Sequence, residues 1–309
     1  MSGRREAVAG AYAESAIYMD TLITVEIVGG APIDECAPAV SRCFEWFETV
    51  ERHCSRFDER SELTLLSRSP IREPVAVSAL LFQQIEFALA VARASDGAFD
   101  PAVGRAMESA GFDHNYATGQ RISSPRGETG SFRDIVTDPA NSTVTLLRPL
   151  VLDLGAVAKG FAIDLVAAEL SRFHDFAINA GGDVYARGRN RSGAAWRIGI
   201  RHPRLPGKLL ETLTVTNAAV CTSGDYERPR ESDAGHHIIE PRTGRSARSA
   251  AAVTVIAPTA VVADALSTAA FALGPERGIE FLEAQGVEGI IVTPGIERFA
   301  TAGIADYLS

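Results

Sequence analysis

Residues 20–28, DTLITVEIV, are rich in β-branched apolar positions and predict a strand. Beyond them the apolar positions change to helical spacing. Val40, Cys43, Phe44, Phe47 and Val50 fall on one face, with Asp34 as the expected cap and Pro38 to be accommodated near the first turn. A second helix is expected from the cap Ser78 through Leu81, Ile85, Leu89 and Ala92, ending near Asp96 and Gly97. Between the two lies an expected loop carrying Ser55 to Leu63.

Residues 112–135 are polar, glycine-rich and weakly patterned, which predicts a mobile excursion. Short β-rich runs then follow at 143–147, 196–200, 211–216 and 253–257, separated by Gly, Pro and Asn turns. Helices are expected at 158–171, 259–273 and 275–285. Strands and helices do not alternate regularly, so the pattern favours an α+β fold over a doubly wound sheet. No Pro/Ser-rich linker divides the chain, and one compact unit is expected.

The 309 residues, 46% hydrophobic and 22% charged, are enough to bury a sizeable core. A formal net charge of −9 argues against a partner bound through its phosphate backbone, because such binding needs Lys and Arg to neutralise phosphates. Cys36, Cys43, Cys54 and Cys221 match neither a zinc knuckle nor a CxxC redox pair and are expected as reduced, partly buried thiols. No apolar run approaches the ~20 residues of a membrane span. The first residues contain no signal-peptide stretch and no cysteine for lipid attachment, which implies a cytoplasmic location for a native start.

Three polar or glycine-rich stretches follow strands: DLGAVAKG from Asp153, NAGGD from Asn179 and TSGDY from Thr222. Backbone amides in such stretches can approach an anionic phosphate, although each alone also fits an ordinary turn or helix start. None is GxGxxG or GxxxxGKS, so neither a Rossmann site nor a P-loop is supported. In ADALST, Asp264 is a carboxylate on an otherwise apolar helix and Thr268 lies one turn along the same face. Their hard oxygens suit Mg²⁺, but the same residues could instead bond a backbone amide and their own helix. His237, in HHIIEPRTG, can exchange protons near neutral pH if it faces a cleft. Its neighbour His236 is the alternative.

Taken in order, SRFDERSEL (Ser55–Leu63), DGAFDPAVG (Asp96–Gly104), DLGAVAKGFAID (Asp153–Asp164), NAGGD, TSGDYE (Thr222–Glu227), HIIEPRTG (His237–Gly244) and ADALSTAAFAL (Ala263–Leu273) resemble the FAD:protein FMN transferase (ApbE) family. The likeness runs from about Met19 to the end. It implies an ApbE-like domain over 19–309 after an N-terminal extension at 1–18. The implied fold has mixed, mainly antiparallel sheets with packed helices and an FAD site in the cleft between two parts of the unit.

By that resemblance, Asp264, Thr268 and a backbone carbonyl near Ala156 would hold Mg²⁺. His237 would assist proton transfer, with Asp264 as a poorer candidate base because it binds a cation. Met19, Phe57, Asp100, Lys159, Gly182, Ser223 and Thr243 fall in segments that line the FAD site, Phe57 at a position whose ring packs on the nucleotide. The implied reaction moves FMN from FAD to a Ser or Thr hydroxyl of an acceptor protein and releases AMP. An FAD pyrophosphatase or a non-catalytic flavin carrier are the rival readings. The chain departs from the family's usual residues at Asp20 (glycine), Ser67 (asparagine), Ala102 (a hydroxyl residue) and Glu240 (aspartate).

Overall fold

In the strand Thr21–Val28, Ile23, Val25 and Ile27 point to one face and are buried, as a period of two requires. The computed structural model, which describes residues 4–8, 10–114, 119, 121–122, 129–226 and 235–309, makes this strand the third of a nine-stranded sheet. Across that sheet the order is Arg4–Val8, Ala11–Tyr18, Thr21–Val28, Asp175–Ala180, Asp183–Arg187, Ala218–Gly224, Ala252–Ala257, Glu288–Val292 and Arg298–Ala300. Each of these pairings is antiparallel. The stretch ahead of residue 19 therefore supplies two strands of the sheet.

Seven α-helices accompany the sheet in the described residues: α1 (Ile33–Cys54), α2 (Glu62–Ser67), α3 (Ala79–Ala94), α4 (Gly104–Ser109), α5 (Gly155–Glu169), α6 (Ala260–Leu273) and α7 (Pro275–Ala284). On one face of the sheet α1, α5, α6 and α7 pack together over the larger core. The other face is covered by the hairpin Trp196–Arg201 and Leu209–Val215, whose Trp196, Ile200, Leu213 and Val215 meet Val184, Val220, Ile256 and Ile290. Covered on both sides, the strand Ala252–Ala257 buries every residue.

Local signals explain several boundaries. The Ser78 hydroxyl accepts the Leu81 amide at 3.2 Å and starts α3 as expected. By contrast α1 begins one residue before Asp34; its N-cap is Pro32, with no side-chain cap bond, and Asp34 instead sits in the first turn, where its charge suits the helix dipole. Pro38 lies inside α1, and the five apolar residues of the expected face are all buried. The expected loop over Ser55–Leu63 gives way at Glu62 to α2, capped by Ser61. Of the expected excursion at 112–135, residues 115–118, 120 and 123–128 lie outside the described residues, and its last part forms a short 3₁₀ turn, Phe132–Asp134, with a strand from Ile135. All four cysteines are buried thiols, and burial pushes Cys43 and Cys54 up to about 12. No described helix is long and apolar enough to cross a membrane.

Candidate active site

Two helices that approach unusually closely form the floor of the site. A Cβ added at Gly160 of α5 would lie 2.5 Å from the Ala260 carbonyl oxygen and 2.7 Å from the Val261 Cα, so only glycine allows this crossing. The N-terminus of α6 receives no bond from its own cap Thr259. Asp164 of α5 takes that role across the interface, accepting the Ala260 amide at 2.7 Å and the Val261 amide at 2.9 Å. Burial raises the pKa of this carboxyl despite the two bonds.

One turn into α6, Asp264 is buried, and its Oδ2 accepts the Gly160 amide at 3.0 Å. In an undisturbed helix that amide would donate to the carbonyl of Ala156, so the Ala156 carbonyl loses or shares its helical donor. Thr268 Oγ1 back-bonds the Asp264 carbonyl at 3.3 Å and lies 3.1 Å from Ser223 Oγ, which also meets Ser267 Oγ at 2.8 Å. The amide bond and the helical back-bond weighed for Asp264 and Thr268 from sequence are thus both present. Asp264 Oδ1 is left facing the Lys159 ammonium, and both Asp264 and Thr268 line the cleft.

Lys159, on the neighbouring turn of α5, is ion-paired with Asp183 and lies 3.7 Å from Asp264 Oδ1. Phe57, Asp100, Ala156, Lys159, Ser223, His237, Asp264 and Thr268 all line one cleft. A second depression, lined by Met19, Asp20, Thr21, Glu51 and Gly181, shares Arg56, Phe57, Asp153, Gly155 and Lys159 with the first. The buried Arg56 and the half-buried Asp153 form an ion pair in this common wall. The Arg56 guanidinium also donates to the Phe112 carbonyl at 2.6 Å and lies 4.2 Å from the centre of the Phe57 ring. Neither residue was singled out from sequence, although both stand inside motifs that were; a charged pair joining SRFDERSEL to DLGAVAKG is visible only once the segments meet.

The two histidines part company. His236 is buried against Phe271; its Nε2 donates to the Ala247 carbonyl at 2.6 Å, its Nδ1 accepts the Ile238 amide at 3.3 Å, and burial lowers its pKa. His237 lines the cleft, edge-on to Phe112 with ring centres 6.5 Å apart.

Some sequence candidates are placed differently from the rest. Asp100 lines the cleft, but its two oxygens accept the Ala102 amide at 2.8 Å and the Phe132 amide at 3.0 Å, so it ties its own loop to the Phe132–Asp134 turn. Gly182, at φ 108°, is exposed in the turn after Asp175–Ala180, and it is Gly181 that reaches the second depression. Thr243 is exposed and donates to Glu240 Oε2 at 3.0 Å, closing the 240–244 turn; Pro241 is the member of that turn on the cleft. Among the departures, Asp20 is exposed at φ 58° in a two-residue hairpin turn with Met19 at φ 50°, a conformation that explains a glycine there. Ser67 accepts the Leu152 amide at 3.4 Å and Ala102 is buried, so both serve packing behind the cleft.

The family model described as the ApbE family matches residues 19–291. The FAD:protein FMN transferase of Treponema pallidum is 33% identical, over 96% of this chain and 88% of that protein. That of Vibrio cholerae is 29% identical, over 85% of this chain and 82% of its own length. The crystal structure of the ApbE protein from Thermotoga maritima superposes with a TM-score of 0.86 at 29% identity, over 97% of this chain and 99% of that chain. The flavin transferase ApbE from Vibrio cholerae gives 0.84 at 25% identity, over 99% of this chain and 100% of that one.

Proposed function

This chain belongs to the ApbE family, and from that membership and the geometry of its cleft we propose that it is a flavin transferase, moving the FMN part of FAD onto a Ser or Thr hydroxyl of an acceptor protein. The observation that carries the reading is the convergence of Asp264, Thr268, Ala156, Lys159, Ser223 and His237, drawn from four separate segments, on one cleft.

These residues fit Mg²⁺. A carboxylate and a hydroxyl one helical turn apart, beside a main-chain carbonyl relieved of its undivided donor, are a hard-oxygen set. Among the described residues no group of three or more His, Cys, Asp or Glu side chains is arranged to hold a metal. A Mg²⁺ site of one carboxylate completed by substrate phosphates meets that description. When bound, the ion withdraws charge from the pyrophosphate oxygens of FAD.

The protein's own groups do the rest. Lys159 adds positive charge beside the phosphates, and the Phe57 ring, already stacked on a guanidinium, offers a flat apolar surface to the nucleotide. The acceptor oxygen bonds to the FMN phosphorus while the bond from that phosphorus to the bridging oxygen breaks, and AMP leaves with that oxygen. His237 takes the hydroxyl proton, a role worth typically 10²–10⁴-fold.

Water at about 55 M competes with the acceptor, which wins by docking its hydroxyl at an effective concentration of ~10⁵ M or more. Incubation with FAD and Mg²⁺ alone should therefore release AMP slowly, and a Ser/Thr-bearing acceptor should gain the mass of FMN in step with AMP release. Rapid conversion of FAD to FMN and AMP without an acceptor, with no protein gaining mass, would establish a pyrophosphatase instead.

A further inference from the structure

Asp183 opens the strand Asp183–Arg187 directly after the Gly181–Gly182 turn, and its side chain is among the most buried charges in the molecule, at 3% exposure. Its Oδ1 accepts the Thr222 amide from the adjacent strand at 2.9 Å. Asp264, at 6% exposure, is held the same way by the Gly160 amide through Oδ2. Each carboxylate thus has one oxygen pinned by a backbone amide and the other turned to the same ammonium, that of Lys159, in contact with Asp183 Oδ2 and 3.7 Å from Asp264 Oδ1. The carboxylates are fixed by secondary structure, and only the lysine, on a flexible four-carbon stem and 27% exposed, has room to move.

Two carboxylates and one ammonium sum to a charge of −1, which favours a further cation. Buried charges are strongly coupled to the position of the nearest counter-charge. Any cation that takes Asp264 Oδ1 must displace or repel Lys159, and the closeness with which Lys159 follows Asp183 sets how hard that is.

We propose that Asp183 is a positioning residue for the transfer reaction, acting through Lys159: it draws the ammonium off Asp264 and so sets the affinity of that carboxylate for a divalent cation. The same pull leaves Lys159 on the cleft wall shared by the two depressions, where a pyrophosphate spanning them would pass. This inference rests on the reading of Asp264 as a ligand of a divalent cation. Asp183 itself does not touch substrate.

The test is Mn²⁺ binding to the FAD-free protein, followed by electron paramagnetic resonance, in a double-mutant cycle. Asp183→Asn keeps the acceptor for the Thr222 amide but releases Lys159 onto Asp264, and should weaken Mn²⁺ binding about tenfold, the size usual for coupled sites. Lys159→Met removes the competitor and should tighten it. In the double variant the effect of Asp183→Asn should be clearly smaller than in the wild-type background, because without the lysine only the direct pull of the lost charge on the cation remains. Should Lys159→Met fail to fold, Lys159→Gln keeps a donor for the buried carboxylates and serves the same arm. Unchanged Mn²⁺ affinity in Asp183→Asn, or an equal weakening in the Lys159→Met background, overturns the proposal. An Asp264→Asn control that binds Mn²⁺ like the wild type would instead overturn the metal assignment on which it rests.

Discussion

Single oxygens divide the work at this site. Asp264 uses Oδ2 to hold the Gly160 amide, so truncation to alanine would both remove a cation ligand and orphan a buried donor at about 1–3 kcal/mol. Asparagine separates these effects, because it can still accept that bond. We expect Asp264→Asn to fold with near wild-type stability and to lose Mg²⁺-dependent AMP release by about 100-fold or more, the scale seen when one preorganised electrostatic contact is removed. Thr268→Val should also be severe at nearly constant volume. Normal Mg²⁺-dependent turnover in a folded Asp264→Asn protein would exclude the ligand role.

His236 makes a different prediction, in stability rather than rate. Burial lowers its pKa, and a proton added at Nδ1 would meet the Ile238 amide that this nitrogen now accepts. With the folded pKa below the unfolded value of about 6.5, the unfolded chain binds the proton first as pH falls. The contribution of His236 is therefore complete above about pH 6.5 and is lost as pH drops through the folded pKa. His236→Gln should flatten the fall in Tm between pH 7.5 and 5 by comparison with the wild type. An unchanged slope would show that this histidine does not titrate with folding.

Between elements, the contact of α5 with α6 governs the site. Gly160 is the point of closest approach, and the atoms a methyl would strike are backbone, which cannot turn aside as a side chain can. Gly160→Ala should cost about 1–3 kcal/mol or more and move the α6 residues Asp264 and Thr268 relative to Ala156. A lowered Tm together with reduced Mg²⁺ affinity is the expected result; a stable protein with wild-type Mg²⁺ activation would mean that the helices can separate without loss. Asp164 strengthens the same contact from the other side by capping α6 in place of its own Thr259, a substitution of tertiary for local capping.

Across the whole molecule, what was legible depended on whether a segment carries its own signal. The helix α3 announces itself with a serine cap and an apolar face, and α6 and α7 with an unbroken run of helix formers and then a Gly–Pro boundary. The strand Glu288–Val292 lies in a sheet covered on both faces, so its apolar residues do not alternate and no period distinguished it. The motif residues fared likewise: Asp264, Thr268, Lys159 and Ser223 were named from their segments, and the fold brings them to one cleft. Gly182 and Thr243 were named from theirs and stand beside it, because a motif specifies a turn and not which of its residues faces inward. By itself the sequence determined the residue types, their order and the local helical spacing that puts Asp264 one turn from Thr268, since these depend only on neighbours in the chain. Tertiary structure alone decided that His237 rather than His236 meets the cleft, that Arg56 pairs with Asp153, and that Asp183 stands opposite Asp264 across Lys159. Those relations join segments through the order of the sheet strands and the crossing of α5 with α6, and no local pattern encodes them.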